Sequence, residues 1–129
     1  MRYKFSGIIL LFVTLYLSAS ESWAASYLYS CDFPRSSNEN GKQSPEKFSM
    51  RFAYDDITGE AVIIGNAGVE KAFGVVGIYG ISFIEQLPTG AVQTTTIAKN
   101  GKASHSRHTM MGGDIMPSQY YGTCTVSKG

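Results

Sequence analysis

Four things are missing from this sequence, and each absence removes a class of function. There is no surplus of charge, no third cysteine, no helical apolar stripe in its main part and no catalytic signature. Eleven Lys and Arg face ten Asp and Glu. A balance this close supplies no basic stripe for a phosphate backbone and no patch for anionic lipid, so nucleic acid and charged membrane surfaces are not expected partners. The chain also lacks G-x-S-x-G and H-E-x-x-H, and no nucleophile is marked for the two histidines. Gly74, Gly77 and Gly80 recur at threes without the helix and lysine of a phosphate loop. Asp55-Asp56 and Thr58-Gly59-Glu60 do not alternate over twelve positions as a calcium loop does. Nothing calls for a cofactor, and the expectation is a protein that is not an enzyme.

What is present begins with an export signal. Arg2 and Lys4 precede an apolar run at Ile8–Leu17, and Ser22 and Ala24 stand at −3 and −1 of a cut after Ala24. Those are the three parts of a secretory signal peptide, assigned here to residues 1–24. Ten apolar residues are too few to span about 30 Å of hydrocarbon, so no stable membrane insertion is expected once the signal is removed. Losing Arg2, Lys4 and Glu21 leaves nine residues of each sign, a neutral chain from 25 to 129. The expected compartment is the periplasm or the cell exterior. There Cys31 and Cys124, the only two cysteines, are expected to form a disulfide.

Residues 25–129 read as one all-β domain. Tyr27, Tyr29, Cys31 and Phe33 alternate along a first strand, and Phe48, Met50, Phe52 and Tyr54 along a second. Period-two alternation of this kind gives a strand one dry face and one wet face. Between them Pro34–Glu46 is wholly polar, Pro or Gly, and is expected to be a mobile surface loop. EAVIIG at 60–65, AFGVVGIY at 72–79 and ISFIEQL at 81–87 are further apolar extended runs, interrupted by glycines of the kind that mark bends. The stretch Ile81–Met111 organises the rest: three extended runs joined at Pro88-Thr89-Gly90 and Asn100-Gly101, the latter a strong hairpin signal. A loop at 112–117 leads to a last strand with Tyr120, Gly122, Cys124 and Val126 on one face. Seven or eight short antiparallel strands with regular turns fit a small up-and-down barrel or a sandwich.

Candidate chemistry concentrates in the hairpin around Asn100-Gly101. His105 and Arg107 share one strand face, with threonines 94–96 opposite, so Thr94, Thr96, His105 and Arg107 are the candidate binding residues, with an anion-receptive arginine. The expected function is a binding module whose ligand is a protein partner or a component of the cell envelope. The alternative is a Cu(I) protein using His108, Met110 and Met116, since thioether and imidazole suit that soft ion. Zinc is not expected, because both cysteines are committed.

Phe83-Ile84-Glu85, the residues 92–97, His105–Thr109 and residues 117–124 (PSQYYGTC) resemble small exported Gram-negative single-disulfide β-proteins of unassigned activity. Tyr29-Ser30-Cys31 and the late Cys124 also resemble the opening strand and disulfide of the membrane-bound inhibitors of C-type lysozyme. The Ser-Gly loop and basic Trp-containing strand of those inhibitors have no counterpart here. That second resemblance implies a small barrel and nothing more.

Overall fold

The computed structural model describes residues 26–129 except Asn66. Eight antiparallel strands run up and down in sequence order: β1 (Ser26–Asn38), β2 (Gln43–Asp55), β3 (Glu60–Gly65), β4 (Gly68–Val76), β5 (Gly80–Gln86), β6 (Val92–Ala98), β7 (Lys102–Met111) and β8 (Asp114–Lys128). Each pairs with its neighbour, and β8 pairs back onto β1, so the sheet closes into a barrel. Closure gives every described strand a partner on each side, although β2 from Gln43 to Met50 extends beyond its pairing with β3. The signal peptide expected at residues 1–24 lies outside the described residues.

The alternation read from the sequence decides what fills the barrel. The inward positions Phe33, Phe52 and Phe83 are almost wholly buried, and Ala61, Ile81, Ile97 and Ala103 pack with them. Phe52 and Phe83 stack with ring centroids 4.5 Å apart and planes 9° apart, and Tyr29 meets Phe83 edge-on at 5.4 Å. Offset and edge contacts of this kind each add about 0.5–1.5 kcal/mol beyond area burial. The outward positions of β1, β2 and β7 carry Asp32, Lys47, Ser49, Arg51 and Ser104. The outer face of β4 differs, with Val69, Phe73 and Val75 exposed.

Cys31 and Cys124 face each other across the β1–β8 seam and are joined by a disulfide, with Cα atoms 4.0 Å apart. The bond ties together residues 93 positions apart in sequence, a closure worth about 4–5 kcal/mol against the unfolded chain. It also points to an oxidising, non-cytoplasmic compartment.

Residues 34–46 differ from expectation. They are not a loop: β1 continues to Asn38, β2 begins at Gln43, and only Glu39–Lys42 turn between them. Pro34 has no N–H to give the ladder, and the register slips at this point against both neighbours. Beyond the bulge the residues alternate in exposure but not in hydrophobicity: Ser36, Ser44 and Glu46 turn inward, Arg35, Gln43 and Pro45 outward. They line an open end of the barrel rather than its core, so their inner face is polar. Gly122 on β8 sits opposite the bulge. A Cβ there would collide with the backbone of Asp32 and Phe33, so only glycine lets the strands approach. Likewise residues 114–117, expected in a loop, belong to β8.

Three of the turns share one construction. In Asn38–Lys42, Leu87–Ala91 and Ala98–Lys102 the third loop residue is a glycine with positive φ: Gly41 at 76°, Gly90 at 93° and Gly101 at 90°. Its N–H donates to the carbonyl of the residue three before it. This is a type I turn closed by a left-handed glycine, a three-residue hairpin loop. It pairs Ile97 with Ala103 and therefore Thr95 with His105.

Candidate functional site

The barrel has two ends, and the phenylalanine layer separates them. The turns at 56–59, 77–79 and 99–101, with the two ends of the described chain, form the upper rim. The turns at 39–42, 87–91 and 112–113 form the lower rim.

At the upper end the inward side chains change from phenylalanine to tyrosine. Tyr27 and Tyr29 of β1 and Tyr54 of β2 line a cavity of about 640 Å³ with Val76, Ile81, Ile97, Cys124 and Val126. Tyr54 has its place because Gly74 on β4 has no side chain: a Cβ there would stand 2.9 Å from the ring. The rim is braced by Lys99 N–H, which donates to the Tyr79 carbonyl at 3.0 Å. Asp56 and Lys99 are the charged residues in the lining. Burial pushes the Tyr29 phenol above its ordinary pKa, and the neighbouring Tyr27 and Tyr54 add to the shift. The Tyr29 phenol is therefore a hydrogen-bond donor at neutral pH, set among apolar side chains. An eight-stranded barrel with this lumen has room for one small ligand.

Deeper and toward the lower end lies His105. It is 1 % exposed, and its Nδ1 is 2.7 Å from Thr95 Oγ1, which is equally buried. Phe33, Phe48 and Tyr120 surround the ring at 5.5–6.0 Å between centroids. Burial, with the Arg107 charge next, lowers its pKa from 6.5 to about 4. The imidazole is neutral at physiological pH, and its Nε2 has no hydrogen-bond partner among the described residues. Arg107 comes next on the same inner face, its Cζ 4.9 Å from the Phe48 ring centroid and 5.2 Å from that of Tyr120. It opens onto a second, polar cavity of about 430 Å³ at the lower mouth, with Ser36, Glu46, Ser118 and Tyr120.

The four candidate binding residues do not form one face. His105 and Arg107 point into the barrel. Thr94 and Thr96 point out of it, opposite Ser106 and Ser104, and Thr96 shares a hydrogen bond of 2.8 Å with Ser82. The middle threonine, Thr95, is the one that meets His105. Three consecutive threonines carry no polarity signal to say which of them turns inward; the buried Ile97 two residues on carries it. The copper set is split in the same way. His108 and Met110 are on the outer face, whereas Met116 pairs with the inward Thr109 and lines the lower cavity. The three do not converge as one ligand set.

The upper cavity was missed by motif reasoning because apolar and tyrosine side chains at strand ends look like ordinary core. The available signal was the inward row Tyr27, Tyr29, Tyr54, where a closed core would carry Phe, Leu or Ile. Compared with protein-family models, with curated proteins and with solved structures, the chain has no match.

Proposed function

We propose that this protein is a non-enzymatic binding module of the periplasm or the extracellular space. It takes a small, mainly apolar, ring-bearing molecule into the tyrosine-lined upper mouth. The observation that carries this reading is the open, tyrosine-lined cavity of about 640 Å³ above the packed phenylalanine layer. A chain that needed only to be stable would fill that space, since each unfilled methyl-sized void costs about 1 kcal/mol. Three phenols supply flat apolar faces with a donor at the edge, the combination that orients an aromatic or polycyclic ligand.

The non-enzymatic reading has its own support. No histidine lines the upper cavity, and the phenol of Tyr29 is held in its protonated form. His105, the buried imidazole, is committed to Thr95. The resemblance to small exported single-disulfide proteins fits an envelope ligand, and the disulfide fits the compartment.

The experiment is a titration with N-phenyl-1-naphthylamine, whose fluorescence rises on leaving water. Wild type should bind it saturably. Val126→Trp, which fills the mouth from β8, should weaken binding by about tenfold or more, a change of about 1.4 kcal/mol, with little change in the thermal melt. Thr94→Ala, on the outer wall, should leave binding as it was. A wild type that gives no saturable signal, or a Val126→Trp variant that binds as tightly, removes the upper mouth from consideration.

A further inference from the structure

The lower mouth holds a cation that the rest of the barrel does not account for. Arg107 is only half-buried, yet its Nε is enclosed and has no hydrogen-bond partner among the described residues. A guanidinium has five donors and no acceptor, so an enclosed N–H without a partner is a net cost. The rings of Phe48 and Tyr120 recover part of it, about 0.5–2 kcal/mol by cation–π attraction. Stacking, however, engages the face of the guanidinium and leaves its in-plane donors free.

The surrounding carboxylates do not fill that need. Glu46, from β2, lines the same cavity, but accepts a hydrogen bond of 2.8 Å from Ser36. Glu85, from β5, feels the Arg107 charge. It accepts nothing from Arg107 Nε, however, and burial first, then a hydrogen bond and charge from Glu70, raise its pKa. His105, directly above, is neutral. The cation faces a cavity of about 430 Å³ whose wall carries the hydroxyls of Ser36, Ser118 and Tyr120, with Glu39, Glu46 and Lys42 also in the lining.

From this geometry we infer that the lower mouth is a second binding site, for a small hydroxylated oxyanion: an acidic sugar or a comparable hydroxy acid. Its carboxylate or phosphate lies in the plane of the Arg107 guanidinium, against the terminal N–H groups rather than the enclosed Nε, where two parallel donors suit two oxygens at once. Its hydroxyls meet Ser36, Ser118 and the Glu46 carboxylate, and its ring face meets Tyr120. Glu46 gives the site its selectivity. An acceptor placed a short way from the cation favours ligands that carry hydroxyl donors beyond the anionic head and disfavours bare anions. The site is independent of the upper cavity, because the layer of Phe33, Phe52 and Phe83 lies between them.

The test is a nuclear magnetic resonance titration of isotopically labelled protein recovered from the periplasm of an expression host. Sodium glucuronate, glucose 1-phosphate and neutral glucose are added in turn at matched ionic strength. At least one acidic sugar should shift the Arg107 Nε–Hε signal and the amides of Ser36, Ser118 and Tyr120 saturably, and glucose should shift none of them. Saturation with glucuronate alone identifies a carboxylic acid, with glucose 1-phosphate alone a phosphate ester, and with both an oxyanion site of either kind. Arg107→Gln should abolish the shifts. If that variant does not fold, Arg107→Lys, which keeps the charge and loses the fork, should weaken binding by about tenfold. Two results overturn the inference: no saturable, localised shift with either acid, or shifts that persist undiminished in the variant that folds.

Discussion

His105 shows how a single residue can look like a site and act as something else. Two histidines beside an arginine on one strand invite a catalytic or metal reading, but this imidazole is wedged among aromatic rings with its Nδ1 against Thr95. Its folded pKa, about 4, lies below the unfolded value of about 6.5. A group shifted this way binds protons more readily when unfolded. Its contribution is therefore complete above pH 6.5 and is lost progressively as the pH falls through that window toward 4. The full shift is worth up to about 3 kcal/mol. Urea denaturation of wild type between pH 6.5 and 5 should show stability falling with acid. His105→Gln should flatten that slope while lowering stability at pH 7. Identical slopes in the two proteins would mean that the imidazole is not buried neutral. Much of this residue's surrounding was legible in the sequence, since the alternation puts His105 and Arg107 on one face. Whether that face was inside or outside was not, because a strand's two faces are distinguished only by what the rest of the sheet buries.

At the scale of the strand and turn, the sequence was legible wherever hydrophobicity and exposure alternate together. β1 up to Phe33 and the inner face of β2 follow directly from the pattern, whereas β7 from Lys102 to Met111 follows from the Asn100-Gly101 turn before it. It failed at Pro34–Glu46 because the inward side chains there face an open mouth and are polar, so exposure alternates while hydropathy does not. The hairpins give the sharpest test. Gly41 and Gly101 both hold a positive φ, 76° and 90°, that L side chains rarely adopt. A Cβ at Gly41 meets open space, whereas at Gly101 it would stand 2.9 Å from the Cys124 carbonyl oxygen. Gly41→Ala should cost about 1 kcal/mol from backbone strain alone. Gly101→Ala adds the collision and should cost about 2–3 kcal/mol. Chemical denaturation of the two variants compares them directly. Equal losses would show that the β6–β7 turn gives way without disturbing β8.

Taken whole, the molecule is a cylinder with one seam. Seven of its eight strand junctions join neighbours in sequence, and the eighth, β1 with β8, brings together the two ends of the described chain. That last junction is entropically the most expensive to close, because the whole domain lies in the loop. The disulfide sits there. Reduction should lower the unfolding free energy by about 4–5 kcal/mol, a large share of the 5–15 typical of a domain. Urea melts with and without dithiothreitol measure it. An unchanged midpoint would mean that the hydrogen-bond ladder alone holds the seam. The barrel class and this closure could both be read from strand count and cysteine placement. The two mouths could not, because a cavity is set by where side chains end, and spacing along a chain does not report it.

One small contact at the seam has a practical side. Gly129 N–H donates to the Ser26 carbonyl at 2.8 Å, so the backbone enters and leaves side by side at the upper rim. Any purification handle or reporter fused directly after Gly129 would hang over the tyrosine-lined opening and compete with whatever enters it. The turn at Glu39–Gly41, on the far side of the cylinder, is the place to splice a label or tether the protein to a sensor chip. Immobilised there, the molecule would present its upper opening to solution.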